Sequence, residues 1–413
     1  MNSYHPRLCD DAVRTALEEF PVVLLEGANG CGKATTAAQT ARSYLRLRHP
    51  WHRQQESHID NFASIMQGEA PRLFSESQAV PGLVLAAGLA AGSRPGQFIL
   101  TESSLRDTAE KITGNVRRLR MRPMSLYESD ESSGTVSLKN LFDGSFVSGA
   151  VNVLQISEAA SAMARGGWPA ALQAADAPAY AAEHLSAIIG TQLSGLPGIG
   201  QSPKKIAALM RSLAQHVFTA TSIRAIRETA VSWDPEASMS DQTAARGLDA
   251  LEKSYLTEDI PAWLPPLRTG TPVRSAPKRQ FVDPSIACTV MGLTPDDLMK
   301  DVQWFTRLFK SMCVRDLRIY AGRLDGEVLH YRDASRLKAD AVILLNDGRW
   351  GAVEIVLDVL GNDPAASRLL KLRDKVSPEQ AGDPSFLMIL TLSGEAYRRK
   401  DGICVVPIGC LGP

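Results

Sequence analysis

The chain has 413 residues, of which 44% are hydrophobic and 22% charged, the composition of a folded globular protein long enough for about two to four domains. Its 45 basic residues balance its 45 acidic residues, which argues against a protein whose main activity is to coat nucleic acid. The six cysteines form no Cys-x-x-Cys pair, the first residues have no signal-peptide character, and no apolar run is long enough to span a membrane, so we expect a cytoplasmic protein.

The first part of the chain predicts alternating helices and strands. An amphipathic helix is expected over 7–20, and short buried strands are expected over 21–26, 72–74 and 97–101. The apolar segment 83–91 lies between a Pro-Gly and a Gly-Ser pair and predicts a helix. Such alternation is typical of an α/β fold in which helices connect parallel strands.

A glycine-rich loop follows the first predicted strand and precedes a segment, 37–47, that is compatible with a helix. Closely spaced glycines let several backbone N–H groups point at one anion, and a lysine at the end of such a loop reaches the terminal phosphates of a nucleotide. The loop consists of Gly27, Ala28, Asn29, Gly30, Cys31, Gly32 and Lys33. It predicts a phosphate-binding site, and the alternative is a glycine-rich turn that binds nothing.

The residue after the loop lysine is unusual for such a site. A serine or threonine is expected there because its hydroxyl holds Mg²⁺, but the residue is Ala34. Thr35 comes next, and since one residue turns a helix by about 100°, its hydroxyl should point elsewhere. We therefore expect residues 27–35 to bind phosphates without supplying a ligand to the metal.

The middle of the chain is predicted to be helical over 155–165, 176–189 and 203–216, with shorter helices over 219–260. Ser240 is placed to cap the helix that runs to about residue 254. A Pro-rich stretch, 261–277, follows, and basic residues lie in and just after it: Arg268, Arg274, Lys278 and Arg279. Helices followed by a basic hairpin are compatible with a winged helix, which often contacts DNA or another protein, and a plain helical connector explains the pattern equally well.

The last third of the chain changes character. A helix is predicted over 303–321 and a second helix later in the segment, with Asp347-Gly348 forming a hairpin turn between two strands. The predicted strands cover 327–332, 339–345, 350–357, 385–392 and 402–408, and the second helix covers 365–376. A helix, three strands, a helix and a strand form a unit with a core of its own.

With these elements in place, the chain resembles a family of bacterial and archaeal AAA-like ATP-binding proteins. Members of that family join a P-loop domain to a winged-helix region and a C-terminal domain of restriction-endonuclease type, PD-(D/E)XK. The resemblance is carried by Glu26 to Lys33, Gly96 to Thr101, Arg120 to Glu128, Arg165 to Pro169, Phe281 to Ser285, Val314 to Arg318 and Glu354-Ile355. It implies an AAA-like P-loop domain over 1–190, a winged-helix-like region over 191–285 and a nuclease-like domain over 286–413, with ATP and Mg²⁺ as ligands and assembly into oligomers.

The resemblance also shows what the P-loop domain has lost. Family members carry an Asp-Glu pair at the end of the second core strand, where the Asp supports Mg²⁺ and the Glu positions the attacking water. This chain has Ser75-Glu76, so the candidate catalytic residue Glu76 remains, its alternative being a solvated surface carboxylate. With Ala34 and Ser75 both unable to serve the metal, we expect nucleotide binding with weak or absent hydrolysis.

Three further residues gain candidate roles from the resemblance. Thr101 occupies the position of a polar sensor of the γ-phosphate, although the following Glu102 would repel phosphates. Arg117 lies where the family carries an arginine that could act in trans on a neighbouring subunit, and we favour the alternative that it belongs to the charged face of a sheet-edge strand. Arg165 is a candidate second sensor.

The C-terminal segment shows a similar loss. The two metal-binding carboxylates of a PD-(D/E)XK site match Asp340 and Glu354, but Val356 replaces the lysine that orients water. Two further acidic positions of the family hold Lys310 and Lys338. Lys338 either takes over the role of the missing lysine or, as we favour, compensates the charge of the carboxylates. This pattern argues against nuclease activity.

Three functions remain open from the sequence. The favoured one is an ATP-binding protein that acts by binding or regulation. The second is a working ATPase that routes its metal through Thr35 or Glu76. The third is a DNA-binding or scaffold protein with a vestigial P-loop, in which Arg274, Lys278 and Arg279 would contact the duplex.

Overall fold

The computed structural model describes residues 4–47, 62–104, 114–152, 154–192, 202–357 and 361–413. The chain divides into two compact units. The first contains Met1–Pro123, Trp168–Ala170 and Leu251–Leu256, and the second contains Met124–Gly167, Ala171–Ala250 and Thr257–Pro413.

A parallel sheet with flanking helices forms the first unit. Its helices and strands are α1 (Cys9–Glu19), β1 (Val22–Glu26), α2 (Lys33–Ala38), β2 (Ser43–Arg46), α3 (Phe62–Ile65), β3 (Arg72–Ser75), α4 (Leu83–Ala91), β4 (Phe98–Glu102) and β5 (Val116–Arg120). The strands lie side by side in the order β2-β3-β4-β1-β5. The predicted α/β fold with a parallel sheet is therefore observed.

Both faces of this sheet are covered, because alternate side chains of β1 pack on opposite sides. Val22 and Leu24 contribute to a core cluster with the apolar residues of α4. Val23 and Leu25 contribute to a second cluster with Val13 of α1. All five residues of β1 are buried, which explains why this strand reads as a continuous apolar run.

Most of the predicted elements of this unit are confirmed, and one is wrong. The expected helix over 37–47 is absent: α2 ends at Ala38, and Ser43–Arg46 form β2 instead. The partners of β2 are the residues of β3, with Tyr44 opposite Leu73 and Arg46 opposite Ser75. Backbone pairing with β3 thus overrides the helical preference of the segment. The strand that carries Arg117 and Arg118 lies at the edge of the sheet, as expected.

The remaining elements begin with β6 (Val136–Ser137). They continue with α5 (Leu138–Phe142), β7 (Val151–Asn152), α6 (Ile156–Arg165), α7 (Ala177–Gln192), α8 (Pro203–Gln215), α9 (Ile223–Trp233), α10 (Asp241–Lys253), α11 (Pro284–Met291), α12 (Pro295–Lys300), α13 (Val302–Gly322), β8 (Gly326–Arg332), β9 (Lys338–Leu345), β10 (Trp350–Ile355), α14 (Asn362–Lys375), α15 (Pro378–Ala381), β11 (Phe386–Thr391), β12 (Gly394–Glu395), β13 (Tyr397–Arg398), β14 (Cys404–Pro407) and β15 (Leu411–Gly412).

A mixed sheet follows α13, with the strand order β13-β14-β11-β10-β9-β8. Strand β9 pairs antiparallel with both β8 and β10, whereas β10, β11 and β14 are parallel. The turn between β9 and β10 contains Gly348, whose φ is +90°, and this is the hairpin predicted at Asp347-Gly348. The expected order of a helix, three strands, a helix and a strand is therefore present.

A buried network joins four of the segments that carry the family resemblance. Both Arg315 on α13 and the backbone N–H of Gly167 donate to the Oδ2 atom of Asp283, at 2.9 Å and 3.0 Å. Arg315 also binds Asp316, which accepts from the backbone N–H of Leu126 at 3.0 Å. Burial raises the pKa of Asp316 to about 6 although the Arg315 charge opposes this rise. These motifs therefore hold the second unit together.

The region predicted as a winged helix contains α8, α9 and α10, and the Ser240 hydroxyl accepts from the backbone N–H of Thr243 as expected for a cap. Residues of 261–277 form isolated bridges: Ala262 pairs with His330, and Val273 pairs with Asp333. The winged-helix assignment and the three-domain division remain predictions. Among the described residues, no helix is both long and apolar enough to cross a bilayer.

Candidate nucleotide-binding site

The glycine-rich loop lies where a parallel sheet offers a binding site. It follows β1, which lies between β4 and β5. From β1 the chain continues to β2 on one side of the sheet, whereas β4 leads to β5 on the other side of β1. Ligands bind parallel sheets at such a reversal of strand order, outside the carboxyl ends of the strands.

The loop has a conformation that depends on glycine. Gly30 and Gly32 have φ angles of +82° and +102°, which other residues rarely adopt. A Cβ atom on Gly27 would lie 2.0 Å from the carbonyl oxygen of Met121, so a side chain there would displace the backbone. The spacing of the glycines therefore reflects a specific loop geometry.

Lys33 is 4% exposed and folds back over the loop. Its Nζ atom donates to the carbonyl oxygens of Gly27 and Ala28, at 3.0 Å and 2.8 Å. The ammonium is thus held against the loop. A phosphate bound there would compete with the two carbonyls for the ammonium. Thr35 is exposed, in agreement with the expectation that its hydroxyl points away from the site.

Arg7 contacts the loop, although no sequence motif indicates this role. Its two terminal guanidinium nitrogens donate to the carbonyl oxygen of Cys31 at 2.7 Å and to that of Arg122 at 2.8 Å. Its side chain is also the nearest neighbour of a Cβ placed on Gly32, at 3.2 Å. A single arginine before an amphipathic helix gives no sequence signal for this role, because its two acceptors are distant in the chain.

Glu76 and Thr101 come together at the carboxyl ends of β3 and β4. The backbone N–H of Glu76 donates to the Thr101 hydroxyl at 3.2 Å, and Glu76 has a left-handed φ of +62°. Its carboxylate accepts from Gln78 at 2.6 Å and from the Ser103 hydroxyl at 3.2 Å. Glu76 is therefore a fixed, half-buried acceptor next to Thr101.

The two positions expected to support Mg²⁺ carry neither the expected hydroxyl, at Ala34, nor the expected carboxylate, at Ser75. Ser75 is 2% exposed, and its hydroxyl shares a 2.9 Å hydrogen bond with that of Tyr44. Ala34 offers no oxygen ligand from its side chain. Among the described residues, no group of three or more His, Cys, Asp or Glu side chains is placed to hold a metal.

Two glutamates lie beside the beginning of the loop. Glu26 and Glu102 are neighbours in the pairing of β1 with β4, and the backbone N–H of Gly27 donates to the Glu102 carbonyl at 3.2 Å. Glu26 is compensated by Arg118, whose Nε atom lies 3.1 Å from the Glu26 carboxylate. Glu102 accepts from the Ser77 hydroxyl at 2.9 Å. The negative charge that Glu102 was expected to bring is thus buried and hydrogen-bonded.

Arg117 and Arg165 have other contacts. Arg117 pairs with Val23, three residues before the end of β1, and its guanidinium lies 5.8 Å from the centre of the Phe20 ring. This places Arg117 away from the loop that follows β1. Arg165 forms two hydrogen bonds with the carboxylate of Glu131, at 3.0 Å and 2.6 Å.

In the second unit, the structure brings Asp340 and Glu354 together as predicted. Ala341 of β9 pairs with Val353 of β10, so the two acidic residues follow as neighbours, and the backbone N–H of Ile355 donates to Asp340 at 3.1 Å. The lysine position of the nuclease pattern is apolar in this chain, since Val356 packs against the hydrophobic core of the unit.

A buried lysine, Lys278, and a half-buried one, Lys310, compensate Asp340. The Nζ atom of Lys310 lies 2.5 Å from the Asp340 carboxylate, and that of Lys278 lies 3.6 Å away. Burial alone would raise the pKa of Asp340, but the charges of these lysines hold it well below its usual range. Lys338 is exposed and acts on Asp340 only through its more distant charge. The charge compensation expected of Lys338 comes in this structure mainly from Lys310 and Lys278.

Glu354 has a different environment. Burial, together with the nearby Asp340 charge, raises the pKa of Glu354 to about 7, although Arg368 opposes this rise through a 2.9 Å hydrogen bond from its Nε atom. The Oε1 atom of Glu354 is buried without a hydrogen-bond partner among the described residues. With Asp340 already bound by lysines and Glu354 by an arginine, the pair does not fit a divalent metal.

The positions of Lys278 and Arg279 change the interpretation of the basic segment. Lys278 is buried, with its Nζ atom 4.1 Å from the centre of the Phe218 ring, and burial lowers its pKa to about 8. Arg279 is paired with Asp259. Of the three residues expected to contact DNA, only Arg274 is exposed.

Two models of protein families match parts of the chain. Residues 19–129 match the family model of an AAA domain, and residues 157–297 match a model described as a domain of unknown function (DUF8612). Residues 19–129 thus resemble an AAA domain, and this stretch contains all five strands of the parallel sheet, β1 to β5.

Two archaeal proteins are among the solved structures to which the chain shows a weak similarity. The Walker-type ATPase PABY2304 of Pyrococcus abyssi is 14% identical, with a TM-score of 0.44, over 70% of this chain and 96% of that protein. The ORC2 protein of Aeropyrum pernix, solved as ADPNP and ADP complexes, is 13% identical, with a TM-score of 0.32, over 73% of this chain and 97% of that protein. No curated protein sequence matches the chain significantly.

Proposed function

We propose that this protein binds an adenine nucleotide, ATP or ADP, through residues 27–35, hydrolyses it weakly or not at all, and acts through the bound state. One observation supports this most directly. The glycine-dependent loop and the buried Lys33 remain in place, whereas Ala34 and Ser75 offer no support for a metal ion.

Binding begins with an exchange of partners at Lys33. The phosphates attract the ammonium away from the Gly27 and Ala28 carbonyls, which it contacts at 3.0 Å and 2.8 Å, and backbone N–H groups of the loop bind the phosphate oxygens. Arg7 keeps the loop in shape during this exchange, since it binds the carbonyl oxygen of Cys31. Thr101 and Glu76 lie at the neighbouring strand ends, where they sense the terminal phosphate.

Hydrolysis is weak because it depends on charge stabilisation. A P-loop enzyme neutralises the charge that develops on the transferred phosphoryl group mainly with Mg²⁺ and cationic side chains. Mg²⁺, when bound with the nucleotide, supplies that neutralisation, but this chain offers it no dedicated ligand from the loop or from the end of β3. Lys33 remains as a cationic side chain of the loop.

We further propose that the C-terminal part of the chain is a nuclease-like domain without nuclease activity. Lys310, Lys278 and Arg368 bind the two carboxylates that would otherwise hold a metal. These basic side chains thus replace the metal ion, so that the fold is kept and nuclease activity is lost.

Isothermal titration with ATP and with ADP tests the proposed function, in buffers with Mg²⁺ and with a chelator. We expect binding in both buffers with similar affinity and no turnover above background. Lys33→Ala should remove the nucleotide binding that depends on the P-loop, whereas Lys400→Ala, which removes an exposed lysine, should not. Absence of binding in both buffers, or binding that requires Mg²⁺, contradicts the proposal.

A further inference from the structure

A shallow cavity of about 630 Å³ lies between α14 and the turn that joins β8 to β9, wholly within the second unit. This volume is in the range of small-molecule sites. Its lining includes Arg336 and Leu337 from the turn and Arg368, Lys371, Asp374 and Lys375 from α14. Neither the P-loop nor the Asp340–Glu354 pair belongs to this lining.

The basic side chains that line the cavity are only partly neutralised by acidic residues. Arg368 is bound to Glu354, and Lys375 lies 2.5 Å from Asp333. The one acidic residue of the lining, Asp374, is paired with Arg373 at 2.8 Å. Arg336 and Lys371 remain, both exposed and without an ion pair among the described residues. Two positive charges therefore face the cavity uncompensated.

The turn that presents Arg336 is fixed in advance. The Oδ1 atom of Asp333 accepts from the backbone N–H groups of Ser335 and Leu337, at 2.8 Å and 3.2 Å, and Arg336 has a left-handed φ of +69°. The other carboxylate oxygen of Asp333 binds Lys375 at the end of α14. Asp333 thus ties the turn to the helix and keeps Arg336 on the side of Lys371.

The chemistry of the lining indicates the kind of ligand. No aromatic side chain lines the cavity, and its charged groups are two arginines, two lysines and the single carboxylate of Asp374. Arginine forks match phosphate oxygens, and lysines add point charges. We propose that this cavity is a second anion site, separate from the P-loop, which binds a di- or triphosphate group, either free or as part of a nucleotide.

The test is calorimetric titration of the full chain with inorganic pyrophosphate and with ADP. The measurements use a Lys33→Ala background, which removes binding at the P-loop. We expect this variant to retain one site, and the double charge reversal Arg336→Glu with Lys371→Glu to weaken that site about tenfold or more. Binding should also weaken as salt is added, because the cavity is open to solvent.

A matched control separates the cavity from net charge. Arg211→Glu with Lys400→Glu reverses one exposed arginine and one exposed lysine elsewhere in the second unit and should leave the affinity unchanged. All four side chains are exposed, so both double variants should fold, and their thermal unfolding checks this. Lys371→Ala alone should weaken binding by a smaller factor than the double reversal.

The results distinguish this proposal from the one made for the P-loop. If Lys33→Ala binds as well as the natural chain, and the Arg336→Glu, Lys371→Glu pair abolishes binding, the cavity is the site and the P-loop proposal fails. Equal affinities for pyrophosphate and ADP assign the free diphosphate group as the recognised element, whereas tighter ADP binding assigns a nucleotide. No binding in the Lys33→Ala background, or binding that both charge reversals weaken equally, overturns the inference.

Discussion

The Nζ atom of Lys310 lies 2.5 Å from the Oδ2 atom of Asp340, in a position where the family pattern places a carboxylate near a metal-binding aspartate. Lys310 projects from α13, and Asp340 lies on β9 with 2% of its side chain exposed. The charge of Asp340 is therefore compensated by a cation of the chain itself. The first two predictions concern this compensation.

Lys310→Met should destabilise the second unit by about 2 kcal/mol or more, because it leaves a buried carboxylate with a single lysine nearby. Chemical unfolding measures this change. Lys338→Met is the matched control: it removes a lysine two residues from Asp340 on the same strand, but this lysine is exposed and should matter little. If both variants lose the same unfolding free energy, a lysine near Asp340 is sufficient, and the burial and direct contact of Lys310 do not determine the stability.

Glu354→Gln should change how stability depends on pH. The carboxyl has a raised pKa of about 7 in the folded chain against an ordinary value of 4.5, so the folded state holds its proton more tightly than the unfolded state. The stabilisation from this proton is fully present below pH 4.5 and is lost as the pH rises through 7. Glutamine does not ionise, so the variant should gain stability relative to the natural chain between pH 5 and pH 8, by an amount on the order of 1–3 kcal/mol.

Unfolding curves of both proteins at several pH values measure this difference. Asp316, whose pKa is also raised, is present in both chains, so its contribution largely cancels in the comparison, whereas the pKa of Lys278 responds to the Glu354 charge and contributes to the difference. A difference in stability that stays constant from pH 5 to pH 8 would contradict the environment described for Glu354.

Gly27→Ala should abolish nucleotide binding and lower the unfolding temperature. The added Cβ atom would lie 2.0 Å from the Met121 carbonyl oxygen, so the loop or the adjoining segment must move. Gly190→Ala is the control, because a Cβ atom at this position of α7 meets no atom within 4 Å. Alanine there should stabilise the helix by up to about 1 kcal/mol. Normal binding by the Gly27 variant would mean that the loop adopts another conformation with its ligand.

Arg7→Lys should weaken nucleotide binding without affecting the fold as a whole. A lysine is a point donor that cannot reach the carbonyls of Cys31 and Arg122 with a planar fork, so at least one of the bonds at 2.7 Å and 2.8 Å is lost. We expect about a tenfold loss of affinity by calorimetry. Arg14→Lys, which changes an exposed arginine on α1, should leave the affinity as it is. If both variants keep the affinity of the natural chain, Arg7 does not contribute to nucleotide binding.

Ala34→Thr combined with Ser75→Asp should restore ATP turnover by about tenfold or more, since it returns both missing oxygen ligands to the site. The steady-state release of phosphate measures the gain. Each single variant should show little of it, and Lys33→Ala in the double variant should remove it. An unchanged rate in a well-folded double variant would contradict the explanation through lost metal ligands.

Parts of the candidate site could be predicted from local patterns. The spacing of the loop glycines and Lys33 predicts a phosphate-binding loop. Glu76 and Thr101 end apolar runs that form neighbouring parallel strands. Arg7, Lys278 and Arg368 could not be predicted, because each acts on residues far along the chain and sits in a segment without a motif. Lys278 in particular belongs to a basic segment that suggests a surface, yet its ammonium lies 3.1 Å from the Asp340 carbonyl oxygen.

The sequence by itself determined the elements with strong periodicity or punctuation. Examples are the helix Leu83–Ala91 between its glycines and the turn at Asp347-Gly348. It also determined the absence of a hydroxyl at Ala34, which no fold can supply. Only the tertiary structure decided that Ser43–Arg46 form a strand and that Lys278 and Lys310 neutralise Asp340. The physical reason is that strand pairing and charge compensation depend on partners brought close by folding, whereas helix periodicity and turn residues act within a few positions of the chain.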